Sequence, residues 1–351
     1  MRTSGACVHL ESNEMREWCL KHQPDAVLEM NRPRCDVPFL KKAIKHIVWV
    51  VDLNGRPLDY FQGSDITYLF DPLWEYVFPH DGFHRWLAPG SCEKDYPPLI
   101  DDSYDVDVSF VGHMPRRWSN KELDRMITSS GDLQFRDILT TLESIIWERR
   151  NDLTSEKFKP ENDWIHFADE LCMSAVGSHL VPSGELKYDI SGRIIRHLQR
   201  QELISTALNN TNSLRLYGPE NWREWPEYAP FYAGYLKGPG QLGKAYRSSK
   251  INLHDGVGMH FRSVDCMSTG GLLFFREREE LDRLPGEIST QFEPDREFVS
   301  FSPDTFPDKL KQYLGDPKRA DQVRKAAARA IRAGHTWRHR AESVLKDLQQ
   351  L

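Results

Sequence analysis

The segment that most constrains this chain runs from Ser249 to Phe275, SKINLHDGVGMHFRSVDCMSTGGLLFF. It reads as a strand over Ile251–Leu253, a loop with Gly256 and Gly258, a helix over His260–Ser268, a turn at Gly270-Gly271, and an apolar strand over Leu272–Phe275. Such alternation belongs to α/β proteins. Arg262 and Asp265 stand three residues apart, which places both on one helical face. A glycine loop feeding a helix N-terminus presents free N–H groups and the positive end of the dipole to an anion. An arginine adds phosphate affinity, and a carboxylate can accept two hydrogen bonds from a ribose diol. Together these residue types describe a pocket for a nucleoside diphosphate. The competing reading is an ordinary strand–helix–strand unit with a structural Arg–Asp pair.

The rest of the chain narrows the class. A length of 351 residues exceeds one typical core, so two domains are expected. A net charge of −6 gives no basic surface over the whole molecule for a polyanion, and no nucleic-acid partner is expected. The six cysteines are scattered without a C-x-x-C pair, which argues against a zinc site or a disulfide framework and fits a reducing, cytoplasmic location. The N-terminus lacks an apolar signal core, and no run approaches a membrane span.

Residues 1–105 read as an α/β domain. Helices are expected over Glu11–His22, Val37–Lys45 and Leu73–Phe78, and strands over Ala26–Met30, Ile47–Val51, Ile66–Phe70 and Arg85–Ala88. IVWVV (47–51) is apolar throughout, as a parallel strand covered on both faces is. Asp52 follows it, at the end of a parallel strand where open sheets place ligands. Residues 93–105 are acidic and proline-bearing, a linker composition. A second domain over 106–335 opens on the strand Asp107–Gly112 and carries a helical insertion at about 118–210, with amphipathic stretches at 132–149, 167–180 and 190–208. In the last of these, His197 beside Arg196 and Arg200 reads as a solvated face. The aromatic run Trp222, Trp225, Tyr228, Phe231, Tyr232 and Tyr235 reads as core before it reads as a stacking platform. Basic residues of the helix over 321–332 read as a solvated face, and residues 336–351 as a closing helix.

The segment Ile251–Phe275 resembles the donor site of the CgeB-like group of GT-B glycosyltransferases, the glycosyl transferases group 1 family. Four other segments match in order: Asp107–Gly112; Leu214–Gly218 with Tyr232-Ala233-Gly234; Phe298–Phe301 with the helix through Leu314; and His335–Arg340. The resemblance spans about residues 46–345. It implies two Rossmann-like domains facing a central cleft, with 336–351 crossing back to the first. It also implies sugar transfer from a nucleotide-diphosphate sugar, such as a UDP-sugar, to an acceptor, with no cofactor and no bound metal. Within that frame Gly112, Arg116 and Arg117 lie near the donor diphosphate. His254, Gly256, Gly258 and His260 line phosphate or sugar, Arg262 stabilises the leaving group, Asp265 holds the ribose, and Gly270 and Gly271 complete the donor segment. An inverting enzyme would need a base; Asp52 is the candidate, with His113 and His80 behind it. The Glu-x7-Glu pattern of many retaining members is absent: Val257 stands eight positions before Asp265, and Asp255 is out of register. Both stereochemical outcomes stay open. The chain also departs from the family in lacking a strand and glycine turn before Glu11, which implies either a shortened first domain or a chain that starts late. Two other readings share the scaffold: a non-catalytic protein of spore or cell-surface assembly, and a nucleotide-sugar epimerase.

Overall fold

The computed structural model describes residues 12–53, 56–78, 82–99, 103–149, 160–256, 258–277 and 286–351. The expectation of no strand before Glu11, and the candidate His80, fall outside them. The chain forms two compact units, residues 1–88 with 340–351, and residues 89–339.

The first unit opens with α1 (Ser12–His22) and builds a parallel sheet in the order β1 (Ala26–Met30), β2 (Lys45–Val50), β3 (Ile66–Leu69), β4 (Phe83–Trp86), with α2 (Pro72–Val77) between the last two strands. β2 and β3 are buried almost throughout, as their apolar composition requires. The helix expected over Val37–Lys45 does not form. The Arg34 guanidinium donates to the carbonyls of Leu40, Lys41 and Ile44, which a helix would have used internally. Val37, Leu40 and Ile44 instead pack under Met15 and Cys19 of α1.

The second unit holds α3 (Asn120–Leu123), α4 (Phe135–Glu148), α5 (Pro160–Val176), α6 (Gly184–Tyr188), α7 (Ile194–Leu208), α8 (Gly238–Arg247), α9 (Phe261–Thr269), α10 (Ile288–Gln291), α11 (Phe306–Gly315) and α12 (Pro317–Gly334). A last helix, α13 (Trp337–Leu348), begins here, and from Arg340 its residues group with the first unit. Six parallel strands form the sheet: β5 (Val106–Val111), β6 (Leu214–Tyr217), β7 (Tyr232–Gly234), β8 (Ser249–His254), β9 (Leu273–Arg276) and β10 (Val299–Phe301). Their spatial order is β10-β9-β8-β5-β6-β7. Counted from β5, this is the doubly wound order 3-2-1-4-5-6 of dinucleotide-binding domains. The order reverses between β5 and β8, and ligands of open α/β sheets sit beyond the carboxyl ends of the strands at that reversal.

Two differences from the expected organisation have physical causes. The division falls between Ala88 and Pro89, so residues 89–105 belong with the second unit. Ser91 N–H donates to the His335 carbonyl at 3.0 Å, and Ser268 Oγ donates to the Tyr96 carbonyl at 3.1 Å, tying this segment to α9 and to the start of α13. The helical segment is also not wholly an insertion. Residues on α4 to α6 build a separate apolar cluster around Phe135, Leu142, Trp164 and Ile190. Leu203, Ile204 and Ala207 of α7 pack into the main core with Val108, Leu216 and Phe274. α7 is thus the crossover helix between β5 and β6.

Candidate active site

The carboxyl end of β5 runs into Gly112 and His113, and that of β8 into His254, Asp255 and Gly256, the two strands that flank the reversal. α7 would normally offer its N-terminus to an anion here. It cannot, because residues 184–208 are continuous helix, with a π-helical turn at Asp189–Arg193 joining α6 to α7. The free end lies about 18 Å further back from Arg196 along the axis, at 1.5 Å per residue. Side chains on the first two turns of α7 supply positive charge instead. Arg196 Nη1 lies 3.2 Å from His113 Nε2. Arg200, 7% exposed, is ion-paired with Asp255, stacks 4.8 Å from the Phe110 ring centroid and donates from Nε to the His113 carbonyl at 3.4 Å.

α9 brings the third guanidinium. His260 caps this helix, its Nδ1 accepting from the Arg262 N–H at 3.2 Å, and Ser263 Oγ receives the His260 N–H at 3.1 Å. Arg262 carries a buried Nε without a hydrogen-bond partner. Burial lowers the Arg262 pKa first, and the Arg196 charge adds to it. The His260 and His254 rings lie 5.4 Å apart, and His254 stacks on Phe275 at 5.2 Å. Burial, then Arg196, Arg200 and Arg262, pushes the His113 pKa down to about 4. Burial, then Arg262 and Arg200, takes His260 down to about 3. Both imidazoles are therefore neutral at pH 7. Arg196, Arg200 and Arg262 all act on His113, and Arg200 pairs with Asp255, so positive charge concentrates in a largely desolvated place, where opposite charge is attracted more strongly than in water.

One turn along α9, Asp265 Oδ1 accepts from Ser91 Oγ at 2.9 Å, and the Tyr96 hydroxyl also donates to this carboxyl. Burial raises the Asp265 pKa to about 7 against those two hydrogen bonds.

The structure therefore gathers His113, His254, His260, Arg262 and Asp265, and places the other candidates differently. The N–H of Gly256 donates to His254 Nδ1 at 2.9 Å, and that of Gly258 to Glu287 Oε2 at 2.8 Å, so both are taken by the chain's own side chains rather than left for a bound anion. Gly112 is a structural contact: its N–H donates to the Tyr217 carbonyl at 2.9 Å, and its carbonyl accepts from Trp222 Nε1 at 2.9 Å. Arg116 and Arg117 are exposed. Arg116 Nε stands 3.9 Å from Glu224, and the Arg117 guanidinium lies 5.6 Å from the Trp225 ring centroid. Gly270, with φ +89°, ends α9 about 12 Å from Arg262 along the helix, and a Cβ on Gly271 would come 2.7 Å from Cys266 Sγ. Asp52 is exposed at the end of β2 in the first unit, where Asn31 Oδ1 accepts its N–H at 2.9 Å. Arg196, Arg200, Ser91, Tyr96 and Glu287 were not legible as site residues. The face of α7 read as solvated is instead packed, with His197 stacked on Trp225 at 4.4 Å.

Residues 196–346, from the first of these arginines to the closing helix, match the family model described as glycosyl transferase-like. Over these residues, somewhat under half of its length, the chain is similar to that family, and its fold is GT-B. Sucrose-phosphate synthase from Thermosynechococcus elongatus aligns at a TM-score of 0.51 with 10% identity, over 97% of this chain and 76% of that one. Alr3699/HepE from Anabaena, solved with UDP-glucose, aligns at 0.50 with 8% identity, over 97% of this chain and 82% of that one. At such identities the likeness carries the fold alone. No curated protein sequence matches. The two parallel sheets and the doubly wound order of the second agree with the GT-B expectation.

Proposed function

We propose that this transferase moves a sugar from a nucleoside-diphosphate sugar to an acceptor, with the donor diphosphate held by Arg196, Arg200 and Arg262. The observation that carries this reading is the convergence of those arginines, one with an unpartnered buried Nε, at the reversal point of a doubly wound sheet. As the bond from the anomeric carbon to the diphosphate breaks, negative charge grows on the leaving oxygen. Fixed cations in a dry site stabilise that charge without reorganising. They also supply the positive charge that a divalent cation would otherwise bring. His113 and His260, neutral, are positioned to orient phosphate or sugar oxygens by hydrogen bonding. Asp265, held by Ser91 and Tyr96, retains lone pairs to accept from the ribose diol.

UDP-sugars are the first donors to test, since a protein of the same fold binds UDP-glucose. The test is release of UDP from UDP-sugars by the full chain, with and without EDTA. Release that survives EDTA and is abolished in Arg262→Ala supports the reading. Release that needs an added divalent cation would remove the arginine-only account of the leaving group.

A further inference from the structure

We propose that the groove between α12 and the carboxyl end of α9 is a second anion site, distinct from the arginine cluster, that receives a phosphate group. The groove has a volume of about 160 Å³ and is lined by Pro98, Gly270, Arg324, Lys325, Arg329 and Arg332. At about 30 Å³ per liquid water this holds several waters, or one phosphate group. Gly270 marks the far end of α9, about 12 Å along the helix from Arg262, so an anion here is not the donor diphosphate.

The charge pattern is what singles the groove out. α12 carries Lys318, Arg319, Arg324, Lys325, Arg329 and Arg332 against Asp321 alone, in a chain whose net charge is −6. Arg324 is 3% exposed and fixed: it donates to Asp321 at 2.8 Å and to the Lys250 carbonyl at 2.7 Å, and lies 4.9 Å from the Tyr104 ring centroid. Lys325, Arg329 and Arg332 are exposed and, among the described residues, make no ion pair. Their i, i+4, i+7 spacing puts them on one face, where like charges repel by a few tenths of a kcal/mol per pair. A helix C-terminus attracts cations, but its dipole amounts to about half a charge. It offsets part of this positive charge and leaves most of it unanswered. A phosphate group, with two or more charge-assisted hydrogen bonds from the groove, answers the remainder.

The test uses the full chain with Arg262→Gln and phosphate at concentrations below those at which the weakened arginine cluster fills, so that the cluster contributes little to the rise. Inorganic phosphate, added at constant ionic strength, should raise the Tm of Arg262→Gln by about 2 °C or more at saturation. Adding Lys325→Gln, Arg329→Gln and Arg332→Gln, all at exposed positions, should remove that rise without lowering the Tm in chloride. Flotation with phosphatidylglycerol vesicles but not phosphatidylcholine vesicles, lost in the same variant, would identify a lipid headgroup as the source. A phosphate-dependent Tm rise without flotation would identify a soluble phosphate ester. The proposal is overturned if Arg262→Gln shows no rise, or if the rise persists after the three substitutions.

Discussion

Arg262, with its buried unpartnered Nε, and the exposed pair Arg116 and Arg117 make opposite predictions at the residue scale. Arg196→Ala and Arg262→Ala should each weaken UDP binding by ten-fold or more, as loss of a charge-assisted contact in a dry site does. Arg116→Ala and Arg117→Ala should leave the Kd within about two-fold, since surface ion pairs contribute little. Equal losses across all four in a calorimetric titration would place the diphosphate elsewhere. Asp265 adds a test of sign. Burial lifts its folded pKa to about 7 from an ordinary value of 3.8. Between those values the folded chain holds a proton that the unfolded chain has released. Stability from this group therefore falls as pH rises through that window, by at most about 4 kcal/mol. Asp265→Asn should be more stable than the parent at pH 8 yet bind UDP less tightly. Parallel stability–pH curves for parent and variant would contradict the buried-carboxyl account.

Two elements set the site, the continuous helix over 184–208 and the junction between β5 and β6. Gly218 has φ +149°, and a Cβ there would run into the Gly112 carbonyl. Gly218→Ala should lower the Tm by several degrees or prevent folding, measurable by thermal denaturation against the parent. The strands and the donor helix were legible because their signals are local: apolar runs for β2 and β9, glycine punctuation around α9. Arg262 and Asp265 shared a visible helical face. The role of α7 was not legible, because an Arg–His–Arg face reads as solvated until β5 and the Trp225 segment are packed against it. Gly256 and Gly258 looked like an anion loop from spacing alone. Only the fold shows that a histidine and a buried glutamate have already taken their N–H groups. The expected helix over Val37–Lys45 failed for a similar reason, since Arg34 reaches it from outside the pattern.

For the whole molecule, acid should unfold the chain earlier than its carboxylates alone would dictate. Burial depresses His113 and His197 to about 4 and His260 to about 3, from an ordinary 6.5. A depressed histidine stabilises the fold above pH 6.5, and that stability is lost as pH falls toward the folded values. The raised carboxyls of Asp265, Asp71 and Glu143 oppose them, Asp265 with the largest shift, and the three histidines together outweigh it, so the Tm should drop below pH 6.5; a flat Tm down to pH 4 would contradict the buried, neutral histidines. Among the described residues no helix is long and apolar enough to cross a membrane. The measurement that bears most directly on the central claim is calorimetric binding of UDP, GDP, TDP and ADP to the parent and to Arg262→Ala, each with and without EDTA. At least one nucleoside diphosphate should bind the parent with a Kd unchanged by EDTA, and Arg262→Ala should weaken it ten-fold or more. Binding that is unaffected by the substitution, or no binding by any of the four, would contradict that claim.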